Sequence, residues 1–170
     1  MQISQLAQAG CSVWLDDLSR AKLTGSDSHS LPPRIANSGV VGVTTNPAIF
    51  SSAITGATEY AADIAALKGK SVEEVITKLT SDDVRQACDL FADIYRDSNG
   101  FDGRVSIEVD PRSAHDTQAT VAEGKALWQI IDRPNVMIKV PATIAGLPAI
   151  TELISSGISV NVTLIFSIER

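Results

Sequence analysis

Aromatic residues make up only 5% of this 170-residue chain, which also has just two cysteines and two histidines. Each scarcity excludes something. Cys11 and Cys88 cannot supply a disulfide framework for a chain of this size. Neither they nor His29 and His115 have a second Cys or His at ligand spacing, so no structural or catalytic zinc is expected. Both cysteines read as buried free thiols of a reducing cytoplasm, and both histidines read as surface residues. No apolar run approaches the roughly 20 residues of a membrane span. The start, Met1-Gln2-Ile3-Ser4-Gln5, lacks the basic patch and apolar stretch of a secretory leader. Positive charge is short as well, with 14 Lys and Arg against 20 Asp and Glu and a formal net charge of -6. That argues against nucleic acid and anionic membrane as partners, while a few local arginines can still hold a small anionic substrate. No glycine-rich phosphate loop follows the first strand candidate, which argues against a dinucleotide-binding doubly wound sheet.

What the chain has is a regular alternation. Five short runs rich in Val and Ile, over 12–17, 40–46, 104–110, 136–142 and 159–166, read as strands closed by turn or cap residues. Helical patterns separate them. Ser71-Val72-Glu73-Glu74 is a capping box followed by Val75, Ile76 and Leu79 on one face. Ser81-Asp82-Asp83 reads as the start of another helix, with Val84, Cys88, Phe91 and Tyr95 inward. Asp116-Thr117 opens a third, with Val121, Trp128 and Ile131 inward. Gly146-Leu147-Pro148 opens a fourth, with Leu147, Ile150 and Ile154 inward and Gly157 ending it. Strands that alternate with helices and are apolar throughout their middles form a parallel sheet covered on both faces. The fold class expected is α/β, a (β/α)8 barrel. Such a barrel needs eight strands and about 250 residues, and five strands leave two open apolar edges. Residues 1–170 therefore read as the N-terminal part of a single barrel domain, truncated or nicked after Arg170, where a trypsin-like protease would cut.

One residue breaks the apolar pattern of the fourth strand, Val136-Met137-Ile138-Lys139-Val140. A lysine there either points to water from an edge strand or is held inside, where desolvation disfavours the cation. A neutral amine in a dry site attacks carbonyl carbon and gives a Schiff base. The neighbouring strand ends favour the inside. In (β/α)8 barrels the chemistry sits at the C-terminal ends of the strands. Here those ends carry Asp16 and Asp17, then Thr44, Thr45 and Asn46, then Glu108 and Asp110, then Lys139 and Thr143, then Asn161 and Thr163. Polar residues on five consecutive strands point to one site, because each buried polar group needs a partner. An iminium at Lys139 makes a neighbouring carbon–carbon bond breakable once a carboxylate removes the adjacent hydroxyl proton. Glu108 with Thr163 can hold the water of imine formation, and Asn46 and Asn161 can hold hydroxyl and carbonyl oxygens.

These residues resemble a known family. Gly42-Val43-Thr44-Thr45-Asn46-Pro47-Ala48-Ile49-Phe50 is similar to the first transaldolase signature. Ile138-Lys139-Val140-Pro141-Ala142-Thr143, with Gly146 after it, is similar to the second, which carries the Schiff-base lysine. Trp14-Leu15-Asp16-Asp17, the strand at 105–110 and the strand at 159–167 also resemble transaldolase strands. The start and the long helical segment after the second strand resemble the larger bacterial transaldolases, Schiff-base enzymes of the class I aldolase superfamily. The compact fructose-6-phosphate aldolases lack such an insertion.

The resemblance implies that Lys139 forms the Schiff base and that Asp16 moves the proton at the breaking bond. It implies that Glu108 and Thr163 position the catalytic water, and that Asn46 and Asn161 bind the dihydroxyacetone part with Thr44 lining the site. It also implies transfer of a dihydroxyacetone unit between ketose and aldose phosphates of the pentose phosphate pathway, with no cofactor and no metal. The phosphate-binding residues are expected beyond this chain, in a complementary C-terminal piece of the barrel. Two alternatives stay open: a half-barrel that only associates with that piece, and a fructose-6-phosphate aldolase-like enzyme. Asp17 is expected as an exposed cap, Asp110 and Arg112 as a local ion pair, and Thr45 on the outer face.

Overall fold

The computed structural model of the chain describes residues 3–169. Met1 and Gln2, the start of the segment read as lacking a leader, and Arg170, after which the cut is expected, lie outside the described residues. The elements follow in the order α1 (Ile3–Gln8), β1 (Val13–Leu15), α2 (Arg20–Thr24), α3 (Leu31–Ser38), β2 (Val40–Thr44) and α4 (Pro47–Ile54). A 3-10 turn at Thr58–Tyr60 leads into α5 (Ala61–Ala66), then α6 (Val72–Leu90), α7 (Ala92–Asp97) and β3 (Arg104–Glu108). After a second 3-10 turn at Pro111–Ser113 come α8 (Thr117–Ile131), β4 (Val136–Pro141), α9 (Gly146–Ser155) and β5 (Val160–Thr163).

The five strands are all parallel and pair in sequence order, β1-β2-β3-β4-β5. With helices between them, they form part of a (β/α)8 barrel. The helix-facing side of the sheet is aliphatic: Val43, Val105, Ile107, Val136, Ile138 and Val140 are buried in one cluster with Val84, Ala87 and Cys88 of α6, Phe91 at its end, Leu127 and Ile131 of α8, and Leu153 of α9. Side chains alternate along a strand, so the other face carries Thr44, Ser106, Glu108, Lys139 and Asn161. The same face holds Trp14, paired in register with Gly42. The indole lies so close to the glycine backbone that a Cβ on residue 42 would stand 2.5 Å from a ring carbon.

Several local expectations hold. Ser71 and Glu74 form the capping box reciprocally, Asp116 caps α8 through Ala119 N–H, and the strands fall inside the expected runs.

Others are corrected. Helix α6 runs unbroken through Ser81-Asp82-Asp83, so no helix starts there. Ser81 donates to the carbonyl of Thr77, one turn back. Asp83 is buried and engaged from far away, accepting Tyr60 Oη–H at 2.6 Å and two guanidinium N–H groups of Arg20 at 3.0 and 2.8 Å. The Arg20 guanidinium also lies over the Tyr60 ring, and Arg20 pairs with Asp63. This cluster fastens the long β2–β3 excursion to the segment that follows β1. In α9 the buried residues are Gly146, Ala149 and Leu153, and Ile150 packs partly buried against the core as expected, whereas Leu147 and Ile154 are exposed. The fifth strand stops at Thr163, because Leu164 takes a left-handed φ of 64° and leaves the ladder. Cys11 is exposed and Cys88 is buried, both as free thiols. Cys11 follows Gly10, which turns the chain at the end of α1 with φ of 81°.

Strands β1 and β5 each have a sheet neighbour on one side only. Val162 of β5 is exposed, as are Leu164, Ile165, Phe166 and Ile168, which follow the strand. No helix among the described residues is long and apolar enough to cross a membrane.

Candidate active site

Lys139 is not an edge lysine. Its strand lies between β3 and β5, and its side chain is only 14% exposed. Nζ donates to the backbone carbonyl of Thr45 at 3.1 Å. Parallel register sets Lys139 opposite Glu108 on one side and Asn161 on the other. The carboxylate of Glu108 stands 3.5 Å from Nζ and is itself only 16% exposed. An amine and a carboxylate facing each other in a largely dry site can pass a proton between them.

One layer nearer the strand starts, Ser106 links two further expected residues. Its hydroxyl donates to Thr44 Oγ1 at 3.0 Å and accepts from Asn161 Nδ2 at 3.2 Å. Ser106 is fully buried. Residue-by-residue reading of the sequence passes over it, although its spacing of two from Glu108 is the available signal. Thr45 behaves as alternation requires. It turns to the outer face, is buried, and donates its hydroxyl to the carbonyl of Ser106 at 2.8 Å.

Asn46 carries a second task. Its Oδ1 accepts Ile49 N–H at 2.9 Å as the N-cap of α4, with Pro47 at the first helical position. That use of the oxygen leaves the amide N–H groups as what Asn46 can offer to a ligand.

Asp16 follows β1, which is not a sheet neighbour of β4, and no ion pair or hydrogen bond joins it to Lys139 among the described residues. Asp16 is exposed and shares an opening of about 570 Å³ with Asn46, Ser19 and Lys22. Asp17 is no cap: its carboxylate pairs with Lys22, and Ser19 caps α2. Burial pushes the Lys22 ammonium below the ordinary lysine range, with the charge of Arg34 adding to it. Thr163 is half-buried at the end of β5, in register with Pro141, and its hydroxyl has no hydrogen-bond partner among the described residues.

At the end of β3, Asp110 and Arg112 form the expected local ion pair, and the guanidinium holds the Asp110 carboxyl below its usual range. Glu123 accepts Asp110 N–H at 2.9 Å, and its burial pushes it above the usual glutamate range. A second cleft, of about 490 Å³, lies between α4, α6 and α8 over Phe50, Ile54, Ile76 and Leu127. It reaches Glu108 and Asn46, but Lys139 does not line it.

Residues 13–170 match the Transaldolase/Fructose-6-phosphate aldolase family. The chain is 55% identical over 170 residues to a transaldolase of Mycolicibacterium smegmatis, covering 99% of this chain and 45% of that protein. It is 56% identical to a Streptomyces avermitilis protein named transaldolase 1, covering 99% of this chain and 44% of that protein. It is 52% identical to a transaldolase of Thermobifida fusca, covering 99% and 45%. The chain thus spans a little under half the length of these relatives.

Proposed function

The chain belongs to the Transaldolase/Fructose-6-phosphate aldolase family, and we propose that it is the N-terminal part of a transaldolase whose single (β/α)8 barrel is completed by a C-terminal piece. In this reading the Lys139 amine attacks the carbonyl of a ketose phosphate, such as fructose 6-phosphate or sedoheptulose 7-phosphate. The carbinolamine loses water to the iminium, with Glu108 and Thr163 holding that water. Asp16 takes the proton from the hydroxyl beside the breaking bond. The aldose phosphate leaves, and the three-carbon enamine stays on Lys139. A second aldose phosphate, glyceraldehyde 3-phosphate or erythrose 4-phosphate, then accepts the unit in the reverse sequence of the non-oxidative pentose phosphate pathway. Asn46, Asn161 and Thr44 hold the dihydroxyacetone oxygens. The reaction would run in the cytoplasm, to which the two free thiols are suited.

The observation that carries the proposal is the enclosed amine of Lys139 between Glu108 and Asn161 at one register level. The single-sided edges of β1 and β5, and the exposed apolar residues beside β5, support the need for a complementary piece.

The test is borohydride trapping with fructose 6-phosphate, read by intact-protein and peptide mass spectrometry. A reduced dihydroxyacetone adduct on the Lys139 peptide is the expected result, and an adduct on another residue overturns the assignment. Turnover that depends on an aldose acceptor separates transaldolase from a fructose-6-phosphate aldolase-like enzyme, which would release free dihydroxyacetone. An adduct that forms only when the C-terminal piece is present would assign the 170 residues alone to an inactive half-barrel.

A further inference from the structure

We propose that Ser106 is a positioning residue that holds Thr44 on β2 and Asn161 on β5 in place by bridging them through its buried hydroxyl; this rests on the reading above, in which both hold the ligand. Thr44 is a register neighbour of Ser106 on the adjacent strand. Asn161 is not, since β4 lies between β3 and β5. Asn161 is level with Lys139, while Ser106 is level with Met137, two residues earlier. The bond from Asn161 to Ser106 therefore crosses β4 on the inner face at the layer before Lys139. It joins the two flanks of the lysine through one buried hydroxyl.

A serine hydroxyl has one hydrogen and two lone pairs. One hydroxyl can therefore hold Thr44 Oγ1 and Asn161 Nδ2 at once, as it does here at 3.0 and 3.2 Å. Both ends of the relay are thereby kept in place by a single buried oxygen, and the remaining hydrogen-bonding capacity of Thr44 and Asn161 is turned toward the level of Lys139. Alanine at 106 would free both ends to turn, and would leave two polar groups without their partner.

The test compares Ser106→Ala, Asn161→Ala and the double variant in the complete barrel. Ser106→Ala is expected to raise the KM for the ketose donor ~10-fold, the effect of one lost buried hydrogen bond. Borohydride trapping at Lys139 should stay at the unaltered protein's level at saturating donor. The double variant should be no worse than Asn161→Ala alone, because contacting residues are not additive. An unchanged KM in Ser106→Ala, or additive effects in the pair, overturns the proposal. If Ser106→Ala does not fold, the ligand-free thermal unfolding of Thr44→Val, Asn161→Ala and their double variant decides. Among the described hydrogen bonds those two residues are joined only through Ser106, so non-additivity supports the relay and additivity overturns it. Absence of any Lys139 adduct in the unaltered protein would instead overturn the functional reading, and the ligand-free comparison would still judge the relay.

Discussion

Glu108 and Lys139 face each other across adjacent parallel strands, register partners with 3.5 Å between carboxylate and amine. Two ionisable groups on the helix-facing side of these strands would each have to displace an aliphatic contact. On the inner face they partner each other, which removes part of the cost of burying them. The pairing also divides two duties that mutagenesis can separate. Lys139→Ala should give no borohydride adduct at all. Glu108→Gln should retain the adduct but form it more slowly, by about 10²–10⁴-fold, the usual worth of a positioned general acid–base group. Single-turnover trapping measures both, and equal rates for Glu108→Gln and the unaltered protein would remove Glu108 from imine chemistry.

Asp16→Ala should act later. The residue is exposed, in the opening shared with Asn46, which Lys139 does not line. Trapping with the ketose donor should survive, while release of the aldose product slows by at least about 100-fold. Rapid-quench measurement of both events on one sample checks the order.

Asp83→Ala should weaken the fold without touching the chemistry. It would strip the Tyr60 hydroxyl and the Arg20 guanidinium of a buried partner. Removing one member of a buried pair costs about 3 kcal/mol. Urea unfolding of the complete barrel should show a lower midpoint, and the trapped fraction of the remaining folded protein should be unchanged.

Glu123 gives a pH dependence of defined sign. Burial raises its carboxyl above the usual range in the folded state. The ionised form is therefore disfavoured by folding, and its contribution to stability falls as pH rises through the folded pKa. Glu123→Gln keeps an oxygen for Asp110 N–H and removes the charge. The variant should melt at a higher temperature than the unaltered protein at pH 7. That advantage should shrink to nothing as pH falls below the unfolded carboxyl range.

The cysteines should differ in reactivity. Burial pushes the Cys88 thiol up to about 12, with the charge of Asp89 adding to it. Cys11 is exposed. Iodoacetamide on the native protein should label Cys11 alone, and Cys88 should react only after denaturation.

Much of this arrangement could be read from one dimension because it depends on local period. Strand β4 is a valine and isoleucine run with one lysine, and alternation alone turns Thr44, Glu108 and Lys139 to one face and Thr45 to the other. The capping box at Ser71 is equally local. The misread features depend on distant partners. Ser81-Asp82-Asp83 has the composition of a helix start, and only Tyr60 and Arg20, brought from other elements, make Asp83 a mid-helix residue. Ser106 looks unremarkable within its strand, because its role is written in Thr44 and Asn161. Leu147 and Ile154 match a helical period, but the phase of α9 against the sheet is set by Ala149 and Leu153, whose side chains are the ones buried.

Trp14 has an optical consequence. Its indole lies against Gly42 on the inner face, two residues before Asp16, while the glycine precedes Thr44 by two. The chain's other tryptophan, Trp128, sits on α8, packed against the helix side of the core. Trp128→Phe would leave Trp14, at the floor of the barrel, as the one tryptophan of these 170 residues. Its emission maximum would then register the loss of water when a sugar fills the inner space, with no attached dye and no turnover.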